Sequence, residues 1–263
     1  MRRSRWITII RLSAVAVYAR FRRARSAWGG AARTAARNGD GTEIPFPTAS
    51  SEGPSSVMED RVMYLLRFWF GRVPDSAIHL RDVPKILGRF RYWYRGSGRY
   101  DAELRREFIE DHTRAARGEY DAWAETSLGR LALIVLLDQI TRNIYRRMPE
   151  SYAQDEKSLA LARRAIAKGD DLELNMLGRA FIYVPLMHTE DLGTQDECVR
   201  LLRQLWRDTP YVFRPLLAVV MIGSRRHRQI IRRFGRFPHR NRILRRTTTR
   251  EEQSFLRHPF SSF

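Results

Sequence analysis

Apolar residues recur along this chain at three- and four-residue intervals and almost never alternate with polar ones, a pattern that predicts helices and no sheet. Residues 57–70 carry Val62, Leu65, Leu66 and Trp69 on one stripe, with Gly71 as a stop. Residues 73–98 break the pattern at Pro74, Pro84 and Gly88 and read as irregular, around the aromatic cluster Phe90, Tyr92, Trp93 and Tyr94. A helix over 101–117 places Leu104, Phe108 and His112 on one side and ends at Gly118. Thr126 or Ser127 caps the next helix, whose run 131–137 is apolar all round and therefore central and buried. Further helices are predicted over 155–168, 172–188, 195–206, 216–234 and 250–256, with Gly169 and Gly235 as stops.

Short connections between amphipathic helices favour antiparallel hairpins. Helix starts recur every 20–25 residues, which suggests a helical-repeat layout, although the tetratricopeptide consensus itself is absent. The expected fold is all-α: about eight helices as antiparallel hairpins in a tetratricopeptide-like, right-handed superhelical arrangement.

Composition changes the picture at the N-terminus. Residues 1–39 hold ten Arg and no acid, and 40–56 are rich in Gly, Thr, Pro and Ser. Residues 1–56 therefore read as a basic extension and linker, and 57–263 as a single helical domain large enough for a core. The apolar stretch 6–18 is interrupted by Arg11 and too short to span a bilayer, so no transmembrane segment is expected. A cytoplasmic protein is expected. The alternative, from the acid-free Arg-rich start, is a mitochondrial transit segment in a eukaryote. A single cysteine, Cys198, excludes an internal disulfide, and no Cys/His zinc spacing is present, so neither a metal nor a cofactor is expected.

The net charge is +19, with 48 basic residues of which only Lys85, Lys157 and Lys168 are Lys. From Thr209 to Arg250 there are twelve Arg and no Asp or Glu. Such a charge suits nucleic acid, yet an Arg-for-Lys bias also reflects genome base composition.

Three polar segments carry the candidate chemistry. In the first, Asp138 and Arg142 share a helix face, as do Gln139 and Asn143 one position round. A carboxylate on a helix this apolar needs a partner, since an isolated buried charge is very costly. It is either a packing-fixing ion pair with Arg142 or the floor of a polar pocket. In the second, Leu177, Phe181, Val184 and His188 form one stripe. Pro185 interrupts the helix there, and Glu190 follows two residues after His188. A His near a helix C-terminus beside a Glu can transfer protons, so His188 and Glu190 are the candidate acid/base pair; the alternative is a satisfied core histidine. The third runs from Arg232 to Asn241, with His227 upstream on the face of Ile230, Ile231 and Phe234. Arg236, His239, Arg240 and Asn241 can form an anion site, since guanidinium groups pair carboxylates and phosphates in a fork. The alternative is that they tie the C-terminal segment to upstream carbonyls and to acids such as Asp138 or Glu190. No Gly-rich phosphate loop, Gly-x-Ser-x-Gly elbow or His-Glu-x-x-His is present.

These segments, in this order, resemble the domain-of-unknown-function family 924. The matching strings are Phe68-Trp69-Phe70-Gly71, Gly129-Arg130-Leu131-Ala132-Leu133-Ile134, Leu137-Asp138-Gln139 with Arg142-Asn143, Pro185-Leu186-Met187-His188 within Tyr183 to Glu190, Phe234-Gly235-Arg236-Phe237-Pro238-His239-Arg240-Asn241, and Glu251-Glu252. The resemblance covers roughly 57–263. It implies an all-helical, tetratricopeptide-like fold and no established activity. Ile140-Thr141 stands where the family pattern has Phe-Pro, and Thr189 where it has Ser.

Three function classes remain open at this level. The first is a binding or scaffold module whose polar pocket takes a small anion or an acidic peptide. The second is a hydrolase-type enzyme using His188 and Glu190 with Arg236 and Arg240 on an anion. The third is a nucleic-acid binder using residues 209–250.

Overall fold

The structure, a computed structural model, describes residues 54–95, 98–258 and 261. The basic extension and most of the linker predicted over 1–56 lie outside the described residues. No strand occurs among the described residues, and the helical periods of the sequence are realised as helices.

Helix α1 (Pro54–Phe70) begins three residues earlier than its apolar stripe and ends at Gly71, whose φ of +78° only glycine adopts freely. Leu65, Leu66, Trp69 and Phe70 are fully buried. The following stretch is more regular than Pro84 and Gly88 suggest. It holds α2 (Val83–Phe90), continued by a π turn, Arg91–Arg95. Pro84 falls in the first turn, where the missing N–H would have had no partner anyway, so it initiates the helix. The aromatic cluster then closes on Phe181 of a later helix. Phe70 and Trp93 each lie 5.0 Å from its ring, edge-on.

Helix α3 (Gly98–Ala116) buries Leu104, Phe108 and His112 and stops before Gly118. Helix α4 is composite: Ser127–Ile134, a π turn Val135–Ile140, then Thr141–Ile144, all right-handed helical backbone without a break. The Thr126 hydroxyl accepts from the Gly129 N–H at 3.0 Å, and so caps it. Every side chain from Leu131 to Leu137 is fully buried, because α1, α3, α5 and α6 all pack on this rod.

Helices α5 (Asp155–Lys168), α6 (Met176–Met187), α7 (Leu192–Asp208) and α8 (Arg214–Phe234) follow, each packed on the next. Two of these starts differ from the periodicity by three residues or more, because side-chain caps decide them. Asn175 accepts from the N–H groups of Leu177 and Gly178, so residues 170–173 form a separate 3-10 turn rather than the beginning of α6. Asp191 accepts from the Thr194 N–H at 2.7 Å and starts α7 three residues before Gln195. Gly235 closes α8 with a φ of +67°. The last helix, α9 (Arg250–Leu256), opens with a reciprocal cap between Thr249 and Glu252. A small satellite core of Ile230, Ile231 and Phe237 lies beneath it. Cys198 is buried, its thiol pushed up by burial and directed at the Tyr183 carbonyl, so it has no nucleophile setting.

The entry to α4 is tightest at Gly129, where an added Cβ would stand 2.1 Å from the Trp123 carbonyl oxygen. The predicted result for Gly129→Ala is a loss of about 3 kcal/mol or more of unfolding free energy in urea melts. Gly88→Ala in α2, where a Cβ meets nothing within 4 Å, is predicted to be neutral or stabilising by up to about 1 kcal/mol.

Candidate functional site

The site grows from one residue. Asp138 sits in the π turn of α4 with zero exposure. It lies within the apolar rod, so its charge has to be compensated by neighbours brought from elsewhere. Three groups do this. The His188 ring, at the C-terminus of α6, places Nδ1 at 2.7 Å from Oδ1. The Gln139 amide donates to Oδ2 at 2.5 Å. Arg142 donates to the Asp138 carbonyl at 2.6 Å and lies 3.2 Å from Oδ1. Burial pushes the Asp138 carboxyl up, but the charge of Arg142 and the side-chain hydrogen bonds from His188 and Gln139 outweigh it, and the group stays well below the usual carboxylate range. An ionised carboxylate only accepts, so His188 Nδ1 carries the proton and Nε2 carries the lone pair.

The π turn shapes this arrangement. Thr141 donates its N–H to the Leu136 carbonyl, an i to i−5 bond. This backbone bond holds the turn after Asp138.

Around the Asp138–His188 pair, two arginines share Asp155. Arg142 donates to Oδ1 at 2.8 Å and Arg240 to Oδ2 at 3.1 Å. Arg240 also donates to the His188 carbonyl at 2.9 Å, satisfying a helix-end acceptor. Its guanidinium lies 4.5 Å over the Tyr152 ring and 4.7 Å from that of Phe237. His227 faces His188 with ring centroids 5.9 Å apart and has Nδ1 2.8 Å from the Gly223 carbonyl. The His239 ring lies 5.6 Å from that of Phe237, tilted by 40°. Burial first, then neighbouring positive charge, holds all three histidines neutral at pH 7. His188 is lowered, His227 is well below its ordinary value, and His239 falls to about 3.

The remaining predicted residues divide. Glu190 turns away from the His188 ring: Arg246 grips its carboxylate with two bonds at 2.6 and 2.9 Å, and the Phe237 N–H adds a third at 2.8 Å. The carboxylate on His188 is therefore Asp138, fifty residues upstream. Arg236 and Asn241 turn to Glu252, at 2.7 and 3.2 Å, and so tie α9 to the C-terminal turn. Asn143 bonds to the Gln139 carbonyl and receives Arg146, on the rim towards Asp101. The sequence patterns missed Asp155, Tyr152 and Arg246. Asp155 reads only as an acidic helix start, and Arg246 is one of many arginines in the acid-free stretch. Among the described residues, no group of three or more His, Cys, Asp and Glu is placed to hold a metal ion, and no helix is long and apolar enough to cross a membrane.

Fold and site together define an all-helical protein with a buried carboxylate–imidazole pair flanked by Arg142 of α4 and Arg240 of the C-terminal segment. The chain belongs to the family described as "Bacterial protein of unknown function (DUF924)", which matches residues 65–259. It is similar to the solved structure of a protein of unknown function, ATU0120, from Agrobacterium tumefaciens. The two are 32% identical with a TM-score of 0.60, over 78% of this chain and 99% of that one. No curated protein matches the chain.

The neutral histidines carry a pH signature. The unfolded chain takes up their protons near the ordinary value of 6.5, whereas the folded protein does so only at lower pH. Stability is therefore complete above about 6.5 and falls as pH drops, by at most about 1.4 kcal/mol per pH unit per histidine. His112, lowered by burial in the main core, adds to the same trend. The depressed carboxylates Asp138, Glu190 and Glu252 act only below their ordinary values of 3.8 and 4.5. Urea midpoints are predicted to fall from pH 7 to pH 5, and His239→Gln is predicted to flatten that slope. A flat profile over this range would mean that the imidazoles titrate freely.

Proposed function

We propose that the Asp138–His188 pair is a proton-transfer centre of a hydrolase-type enzyme acting on a small ligand, with Arg142 and Arg240 orienting it. One observation carries this reading. His188 has its Nδ1 committed to a buried carboxylate at 2.7 Å, while its Nε2 makes no hydrogen bond among the described residues and its side chain keeps 14% exposure. An imidazole held in one tautomer with the other nitrogen open is what general-base chemistry needs. The π turn beneath Asp138 supports the reading, since such turns occur frequently at functional sites. Glu190 has no part in this chemistry; its role is to anchor Arg246 and Phe237.

Charge decides between proton transfer and simple anion capture. Asp138, Asp155 and Glu190 are matched by Arg142, Arg240 and Arg246, and the histidines are neutral. A balanced cluster gains less from an added anion than an unmatched one, so proton transfer is the better account. A site that holds a small anion is the second reading. It is favoured by Arg240 Nε, which is buried without a hydrogen-bond partner among the described residues.

A panel of carboxylic and phosphoric esters separates the two. For any substrate turned over, the rate is expected to rise with pH along a limb whose midpoint lies below 6.5. His188→Ala and Asp138→Asn are each expected to lower kcat by about 100-fold or more, while Glu190→Gln leaves it within a few-fold. Full turnover in His188→Ala would remove the proton-transfer role. Ligand-induced thermal stabilisation without turnover, lost in Arg240→Lys, would favour the anion reading.

A further inference from the structure

A second polar feature lies away from the Asp138–His188 centre. Helices α7 and α8 pack side by side in opposite directions. Arg228 meets Asp196 near one end of the pair, and Arg214 donates to the Arg207 carbonyl at 3.2 Å near the other. Between them runs an open groove of about 630 Å³ lined by Arg200, Arg203, Arg207, Arg225, Arg228 and Arg232.

The two rows have the same spacing. On each helix the arginines stand at i, i+3 and i+7, which keeps them on one face. Each row spans about 10 Å at 1.5 Å per residue, and the opposed register sets the α8 row largely beyond the α7 row, giving a track of about 20 Å. Among the described residues, Arg228 is the one arginine of the six with an ion-pair partner. The other five side chains are exposed and have neither a hydrogen bond nor an ion pair among the described residues. Asp196 is the groove's one acid.

We infer that this groove binds the phosphodiester backbone of nucleic acid, without regard to sequence. Two features of the lining select this partner. Guanidinium groups grip phosphate oxygens in a fork, and a row of them neutralises successive phosphates. A peptide partner would need apolar anchors at the centre of its interface, and the only apolar lining residue, Val199, is itself buried. No aromatic side chain lines the groove, so bases have nothing to stack on, and contact is confined to the backbone.

The test is fluorescence anisotropy of the full chain with a labelled 20-nucleotide single strand and a 20-base-pair duplex, at several salt concentrations. The ten arginines of residues 1–39 are present in every variant, so differences between variants report the groove. Arg203→Glu with Arg225→Glu is expected to weaken binding by about tenfold or more and to reduce the slope of log affinity against log salt by about two. Arg203→Lys with Arg225→Lys keeps the charge and is expected to retain most affinity. Arg99→Glu with Arg106→Glu on α3, equally exposed and equal in charge change, is expected to cost much less. Equal loss in the α3 control would reduce the effect to net charge and overturn the inference, as would failure of the unaltered protein to bind either probe at low salt. Displacement of the nucleic acid by a polyglutamate peptide at equal charge concentration would assign the groove to acidic peptides instead. Thermal melts of each variant keep a folding defect distinct from a binding defect.

Discussion

A carboxylate with no exposure, set at the end of a helical run that is apolar on every side, is the constraint around which this molecule is arranged. Asp138 cannot be left alone there: the desolvation of an unpaired charge would cost several kcal/mol. Its compensation comes from Gln139 and Arg142 on the same rod and from His188 across the interface with α6. The residues that hold those partners then extend the arrangement outward. Asp155 steadies Arg142 and Arg240, Arg240 closes the end of α6, and Gln195 bonds to the Met187 and Thr189 carbonyls beside it. The polar centre is thus both a lock on helix packing and the place where an imidazole is oriented.

The C-terminal segment is joined to this centre by charge more than by apolar area. Its satellite core is small, only Ile230, Ile231 and Phe237 with Phe234 and Phe255 at the edge. What seats it is a series of carboxylates: Glu190 takes Arg246 and the Phe237 N–H, and Glu252 takes Arg236, Asn241 and the Thr249 N–H. Removing one member of such a network leaves the others with unpaired charge, which couples the fold of residues 235–256 to the integrity of the site. The groove residues Arg200, Arg203, Arg207, Arg225 and Arg232 behave differently. They are exposed, have no ion pair among the described residues, and contribute little to stability.

Much of the fold was legible in the chain because packing and periodicity agree. The run 131–137 is apolar all round and is the buried rod, and Gly71, Gly118, Gly169 and Gly235 all end helices with left-handed backbone. Where the reading departed, a side-chain cap or a first-turn proline had decided the boundary, as at Asn175, Asp191 and Pro84. The site was legible in part. Asp138 and His188 stand out as polar groups on apolar helices, Arg142 as the partner one turn from Asp138 and Arg240 within an Arg-rich block, and the structure brings them together. The Asp138–Arg142 contact follows from their shared helix face, but the Asp138–His188 pairing was not legible, because nearness in sequence pointed from His188 to Glu190, while the contact that forms joins residues fifty positions apart on different helices. Asp155 and Arg246 carry no local signal at all, since an acid in a first turn and an arginine in a basic tail are commonplace.

The claim that Asp138 holds His188 in one tautomer is open to direct observation. Nitrogen-15 NMR of the imidazole groups, titrated from pH 8 to pH 5 and assigned with His188→Gln, reads which ring nitrogen carries the proton. The expected result is a His188 resonance pair with the proton on Nδ1 at pH 7 and a midpoint below 6.5, shifting to mixed tautomers in Asp138→Asn. A proton on Nε2 in the unaltered protein, or a midpoint above 6.5, would contradict it.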